Sequence, residues 1–353
     1  MEIDAAKIKK VLIRGTNWVG DAVMSVPAMR EIRRSLPHSR VSLLIRPWVR
    51  DVYGGADFLD EVISYDKDGL HRGLSGRLRL VSELRSREFD LAILLQNAFE
   101  AALLVWWAGI PLRVGYGRDG RSLLLSHAIP IDPEVRQAHQ VYYYLGLLAG
   151  AGFVEPRPWR DSRPLPACDL EVRQSDREAA RDLLRRNGVE AGAVLIGLNP
   201  GASYGGAKRW LPDRFAEVAD HLAGKYSARI ILLGSGAELP ISHCVAGRMK
   251  CPSVNLAGQT TLGQLMGLLK ECALLITNDS GPMHLAAALR VPQVAIFGST
   301  SEIATGPLSN LAEVVRVPAE CSPCFLRECP TDFRCMTGIT ASQVIEAAER
   351  KLH

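Results

Sequence analysis

The chain has 353 residues, 47% of them apolar and 23% charged, with a formal net charge of +4. That length is generous for one hydrophobic core and comfortable for two, and the composition is that of a globular protein rather than a disordered or fibrous one. The charge is too mild to demand a nucleic-acid partner, and no apolar run reaches the roughly 18–20 residues of a membrane-spanning helix.

The longest apolar run, 101–112, contains Gly109 and Pro111 and reads as a buried helix and its exit. Met1-Glu2-Ile3-Asp4 carries acids and lacks the layout of a signal peptide, so the expected location is cytoplasmic. The charge excess lies wholly in residues 1–160, with 22 cations against 18 acids; the rest is balanced at 20 each. An anionic partner such as a phosphorylated lipid surface would suit that half, and so would a scattered solvated surface.

In chain order, short apolar runs predict strands at 11–13, 41–45, 61–64, 91–95 and 113–115. Helical patterns fall at 22–35, 74–87, 98–108 and 137–149. Pro156, Pro158, Pro164 and Pro166 then interrupt all regular structure. They place a linker at 161–168, between a first domain at 1–160 and a second at 169–335. The second half restarts with a helix at 175–187, strands at 193–198, 229–233, 253–256, 273–277 and 291–297, a helix at 213–225 and a last one at 341–352. Strands alternating with helices mean βαβ units and parallel sheets, hence an α/β protein of two Rossmann-like domains. In such sheets ligands sit beyond the carboxyl ends of the strands.

The strand-end segments carry the chemistry. Asn278-Asp279-Ser280-Gly281-Pro282-Met283-His284 joins a strand to an alanine-rich helix. Free amides and the positive helix end there suit a phosphate. A carboxylate at Asp279 does not, unless it grips hydroxyls of a sugar attached to that phosphate. His284 reads as a helix residue packing beneath the loop or ordering it.

Asn199 to Trp210 holds three glycines with Lys208 and Arg209, an anion-loop composition that departs from the Walker A pattern. Its strand-end position points to diphosphate binding through Lys208. Gly234-Ser235-Gly236 lacks the third glycine of a dinucleotide fingerprint. Glu238 beside it reads either as a ribose ligand or as a first-turn helix acid.

In Arg14-Gly15-Thr16-Asn17-Trp18-Val19-Gly20-Asp21, Asp21 reads either as a helix cap, which the residues alone favour, or as a catalytic carboxylate. Asp66-Lys67-Asp68 reads as a solvated loop before a metal site. Cys321, Cys324, Cys329 and Cys335 have spacings that admit a structural metal, an iron–sulfur cluster, disulfides or free thiols.

The segments at 14–28, 199–210, 278–285 and 297–300, each at a strand end and in this order, resemble the signatures of the ADP-heptose:lipopolysaccharide heptosyltransferases, glycosyltransferase family 9, and among them the heptosyltransferase II type. The resemblance spans nearly the full chain. It implies a GT-B fold with two domains facing across a cleft and the C-terminal helix, 341–353, returning to the N-terminal domain. It implies ADP-heptose as sugar donor and the lipid A–inner-core region of lipopolysaccharide as acceptor at a membrane surface, with no cofactor required. Localisation would then be cytoplasmic, peripheral on the inner face of the inner membrane. By position Asp21 matches the general base, Lys208 the phosphate lysine, Asp279 the heptose ligand, and the amides of Ser280 and Gly281 the phosphate contacts. Glu238 and Thr260 match ribose and adenine positions loosely. Ser203 and His284 complete the expected sugar-donor site, and Asn17, Arg118 and Arg121 the expected acceptor surface. The rival readings are another GT-B nucleotide-sugar transferase or epimerase, and a nucleotide-sugar-binding protein without turnover.

Overall fold

A computed structural model describes residues 3–157 and 166–352, so the expected linker at 161–168 is covered only from residue 166. The chain divides into two compact units, at Cys168 and Asp169.

The first unit is built on strands β1 (Lys10–Arg14), β2 (Arg40–Ile45), β3 (Glu61–Ser64), β4 (Leu91–Leu94), β5 (Leu112–Tyr116) and β6 (His127–Ile129), with helices α1 (Val19–Met24), α2 (Val26–Ser35), α3 (Gly73–Ser86), α4 (Phe99–Trp107) and α5 (Gln140–Gly150). All strand pairs are parallel, in the order β3-β2-β1-β4-β5-β6. Val11, Leu12 and Ile13 of β1 are all fully buried, as expected of a central strand covered on both faces. The single helix expected at 22–35 is two: α1 is capped at Ser25, whose hydroxyl donates to the Ala22 carbonyl, and α2 starts at Val26 with Pro27 in its first turn. Proline tolerates a first helical turn because its missing N–H has no partner there.

The second unit contains α6 (Gln174–Arg186), β7 (Leu195–Asn199), α7 (Pro212–Tyr226), β8 (Arg229–Leu232), α8 (Leu239–Ala246), β9 (Ser253–Asn255), α9 (Leu262–Glu271), β10 (Leu274–Asn278), α10 (Gly281–Ala288), β11 (Gln293–Phe297), α11 (Glu302–Thr305), β12 (Ala312–Arg316), α12 (Arg334–Thr337) and α13 (Ala341–Leu352). Its sheet is again wholly parallel, ordered β12-β11-β10-β7-β8-β9. Counted within each unit, both sheets run 3-2-1-4-5-6, the doubly wound Rossmann order. The order reverses between β1 and β4 in the first sheet and between β7 and β10 in the second.

The last helix corrects an expectation. Its apolar face does not return to the first domain. Ala341, Val344, Ala347 and Ala348 are buried in one core with Trp210, Phe215, Val218 and Val294 of the second unit. Burial of such side chains is worth about 1.5–3 kcal/mol for each large one, so a stripe with one apolar face serves one sheet.

Candidate active site

In the first unit, Asp21 lies in the first turn of α1, just beyond β1. The N-cap is Trp18, which makes no side-chain cap bond, so Asp21 is not the capping residue. Its Oδ1 accepts a hydrogen bond from the Tyr144 hydroxyl of α5 at 2.8 Å. Burial, together with the charge of Asp21, pushes the Tyr144 phenol well above the usual range, so it stays a hydrogen-bond donor. Tyr144 escaped the sequence reading; the only signal was the Tyr142-Tyr143-Tyr144 run within an apolar helix.

The neighbouring strand ends carry buried cations. Arg14 ends β1 and donates to the Gly15 and Leu44 carbonyls and to Asn17 Oδ1. Burial lowers its guanidinium to about 10. Arg46, after β2, pairs with Asp68 and lies 4.5 Å over the Trp48 ring. Lys67 and Arg77 both pair with Glu100 at 2.8 Å, and Asp66 accepts from the Gly69 and Leu70 amides. Asp66-Lys67-Asp68 is therefore committed to a turn and to ion pairs.

The expected acceptor residues differ in exposure. Arg118 is exposed and pairs with Asp119 at 2.9 Å. Asn17 is half-buried beside Arg14. Arg121 is a correction: it is 0% exposed, and its guanidinium donates to the Tyr116 and Gln96 carbonyls and to Asn97 Oδ1. It ties the ends of β4 and β5 together and is no surface contact.

In the second unit the predicted motifs converge at the switch point. Lys208 Nζ lies 2.6 Å from Asp279 Oδ2, and Thr300 Oγ1 donates to that same oxygen at 2.6 Å. Asp279 is buried, and Lys208 is mostly so. The Asp279 carboxylate is thus paired with a cation from the loop that follows β7. Below it, Asn199 Nδ2 donates to Thr277 Oγ1 at 3.1 Å and Ser280 Oγ at 2.9 Å. Asn278 donates to the Pro200 carbonyl and accepts from the Trp210 amide, fixing both ends of the 199–210 loop on β10. Ser280 is the extended N-cap of α10 and makes no side-chain cap bond. The first amides of a helix have no intrahelical partner, and those of α10 begin at Gly281 beside Asp279.

Glu238 belongs to a capping box: its Oε2 accepts from the Ser235 amide and hydroxyl, each at 2.8 Å. Ser203 Oγ lies 3.5 Å from its other oxygen, and a Cβ on Gly201 would meet the same carboxylate at 2.4 Å. Only glycine lets the loop pass there. Thr260 is half-buried immediately before Thr261, the N-cap of α9, and His284 is buried within α10. The four clustered cysteines are free thiols, and among the described residues no three His, Cys, Asp or Glu side chains are grouped to hold a metal ion. The expectation of a structural metal there gains no geometric support. No described helix is long and apolar enough to cross a membrane.

Two parallel sheets with polar constellations at their switch points define a GT-B type of architecture, and comparison with known proteins agrees. Residues 77–333 match the family model described as glycosyltransferase family 9 (heptosyltransferase). Lipopolysaccharide heptosyltransferase 2 of Escherichia coli K12 is 31% identical over 313 residues, covering 87% of this chain and 88% of that protein. Lipooligosaccharide heptosyltransferase 2 of Haemophilus ducreyi is 32% identical over 316 residues, with the same coverage. Among solved structures, ADP-heptose lps heptosyltransferase II of E. coli matches with a TM-score of 0.82 at 28% identity, over 98% of both chains. A glycosyl transferase family 9 structure from Veillonella parvula matches with a TM-score of 0.86 at 26% identity, over 100% of this chain and 98% of that one. The chain belongs to glycosyltransferase family 9, the heptosyltransferases. It is an enzyme of that class.

Proposed function

We propose that the chain transfers L-glycero-D-manno-heptose from ADP-heptose to the lipopolysaccharide inner core, as the second heptose, in one inverting displacement. The observation that carries this reading is the Lys208–Asp279–Thr300 cluster beside the N-terminus of α10 at the second sheet's switch point. It offers a cation and free amides to a diphosphate and a buried carboxylate to sugar hydroxyls, the mixture a nucleotide sugar needs.

In the proposed step an acceptor hydroxyl oxygen attacks the anomeric carbon and Asp21 takes its proton. The bond from that carbon to the β-phosphate oxygen breaks, and ADP leaves with the electron pair. Lys208 and the amides of Ser280 and Gly281 take up the growing charge, as an oxyanion hole does. Asp279 orients the heptose. Ser203, Glu238, Thr260 and His284 line the nucleotide side, with only one Glu238 oxygen left for ribose. No cofactor enters the scheme. The Tyr144 bond to Asp21 supports the base assignment, because it orients the carboxylate. The lipid-linked acceptor accounts for the cationic excess of residues 1–160 and for a cytoplasmic, peripheral location at the membrane.

The test is ADP release from ADP-heptose against inner-core acceptors truncated before and after the first heptose. Release only with the acceptor that already carries one heptose is expected. Release only with the shorter acceptor would reassign the enzyme to the first transfer, and release with neither would remove the substrate assignment.

A further inference from the structure

The cysteine-rich segment between β12 and α12 plays no part in the scheme above, yet it is fastened to the phosphate loop. Tyr204 donates its hydroxyl to the Phe325 carbonyl at 2.8 Å. The Ala207 amide donates to the Arg327 carbonyl at 2.9 Å, and the Gly206 amide to Glu328 Oε1 at 3.0 Å. On the other side the Cys324 and Phe325 amides donate to the Ser299 carbonyl at 3.1 and 2.8 Å, next to Thr300. The approach is close enough that a Cβ on Gly205 would stand 2.3 Å from the Arg327 carbonyl oxygen.

This fastening puts a second cation beside Lys208. The Arg327 guanidinium lies 5.4 Å from the centroid of the Tyr204 ring and Lys208 Nζ lies 5.0 Å from the same centroid. The two positive groups cannot be farther apart than those distances together. Their partners differ. Lys208 is neutralised by Asp279. Arg327 is exposed, and among the described residues its side chain makes no ion pair or hydrogen bond. The nearest acid in sequence, Glu328, is committed to the Gly206 amide. Arg209, the other cation of the loop, is half-buried, and its Nε is enclosed without a partner. The Lys208–Asp279 pair itself carries no net charge. A diphosphate brings at least two negative charges and gains another when it becomes a leaving group.

We infer that Arg327 is a second diphosphate-binding cation, delivered to the nucleotide-sugar site by the cysteine-rich loop. The Tyr204 ring is the element that both cations approach. The guanidinium supplies the charge that Lys208 has already given to Asp279, and its planar fork suits a phosphate. The inference rests on the nucleotide-sugar reading of the site.

The test is calorimetric binding of ADP and of adenosine to the full chain, for the parent, Arg327→Gln, Arg327→Lys and Lys208→Gln. Arg327→Gln is expected to weaken ADP about tenfold, as loss of a charge-assisted bond does, to leave adenosine unchanged, and to be largely rescued by Arg327→Lys. Equal loss for ADP and adenosine would mean that Arg327 only shapes the loop, and unchanged ADP binding would remove it from the site; either overturns the inference. If Lys208→Gln alone weakens ADP, only the Arg327 inference fails. If neither variant weakens it, the diphosphate reading of the whole seat fails.

Discussion

The two units share one topology and differ in what they place at their switch points. The first carries buried arginines, Arg14, Arg46 and Arg121, whose bonds run mostly to backbone carbonyls, ring faces and neighbouring side chains. The second carries Asn199, Thr277, Asn278 and Ser280, small neutral groups bonded to each other, around one buried ion pair. Arginines of the first kind brace strand ends and set a positive background. A neutral network surrounds the paired Lys208 and leaves the first amides of α10 without intrahelical partners. Equivalent positions in one fold thus serve rigidity in one unit and, on the proposed reading, recognition in the other.

The comparison breaks most sharply at the two carboxylates. Asp21→Asn keeps the bond geometry within reach of Tyr144 but cannot accept a proton. We expect kcat to fall about 10²–10⁴-fold, the contribution of a general base, with ADP affinity unchanged by calorimetry. Normal turnover would sink the base assignment. Next, Lys208→Met strips the buried Asp279 of its countercharge. Turnover should drop about 10²-fold or more, and urea denaturation should show a loss of about 3 kcal/mol, the cost of an uncompensated buried charge. Adding Asp279→Asn should restore most of the stability and none of the turnover. If stability stays low, the ion pair is not what the seat was lacking.

Arg121→Met tests the bracing half. It removes the guanidinium donor from the Gln96 carbonyl and Asn97 Oδ1 and one of two donors from the Tyr116 carbonyl, where the Arg118 amide remains, so a loss of about 2–3 kcal/mol in urea unfolding is expected, with kcat/KM nearly intact in the folded fraction. A selective loss of acceptor affinity would instead return Arg121 to the acceptor site. The smallest effect concerns pH. The phenol of Tyr144 is held above its ordinary value of 10.0, so the folded state holds that proton more tightly than the unfolded chain does. Its contribution is complete below pH 10 and is lost as pH rises beyond it. Stability of Tyr144→Phe should therefore fall less steeply than the parent's between about pH 10 and 11 in urea titrations; identical slopes would exclude the effect.

Much of this architecture is legible from residue pattern alone, because a strand covered on both faces writes itself as an unbroken apolar run. β1, β4, β10 and β11 do so, while β2 is interrupted by Ser42 and β7 by Gly197. Two of the four edge strands do not: β6 has a single buried residue and β12 is mostly half-exposed, and both escaped the sequence reading. Lys208 and Asp279 were legible because each follows a largely apolar run. Their bond to each other was not, since it links positions 71 residues apart through a β7–β10 pairing that no local pattern encodes. Arg121 misled for a related reason. An arginine in a glycine-rich turn reads as solvated, and only the sheet shows three acceptors converging on it. The last helix misled because amphipathicity says that a face will be buried and is silent on which sheet buries it.

Trp210 joins these threads. Its amide donates to Asn278 at the end of β10, its indole donates to the Ile339 carbonyl just before α13, and its ring meets Phe215 edge-on at 5.1 Å. It is also the only tryptophan in residues 169–353, and it is almost wholly enclosed, whereas Trp18, Trp48 and Trp106 of the first unit stand about half in water. In spectroscopic terms the second unit carries one blue-emitting fluorophore against a red-emitting background. Its emission marks the moment at which the loop, the strand and the terminal helix part company, separately from the melting of the rest.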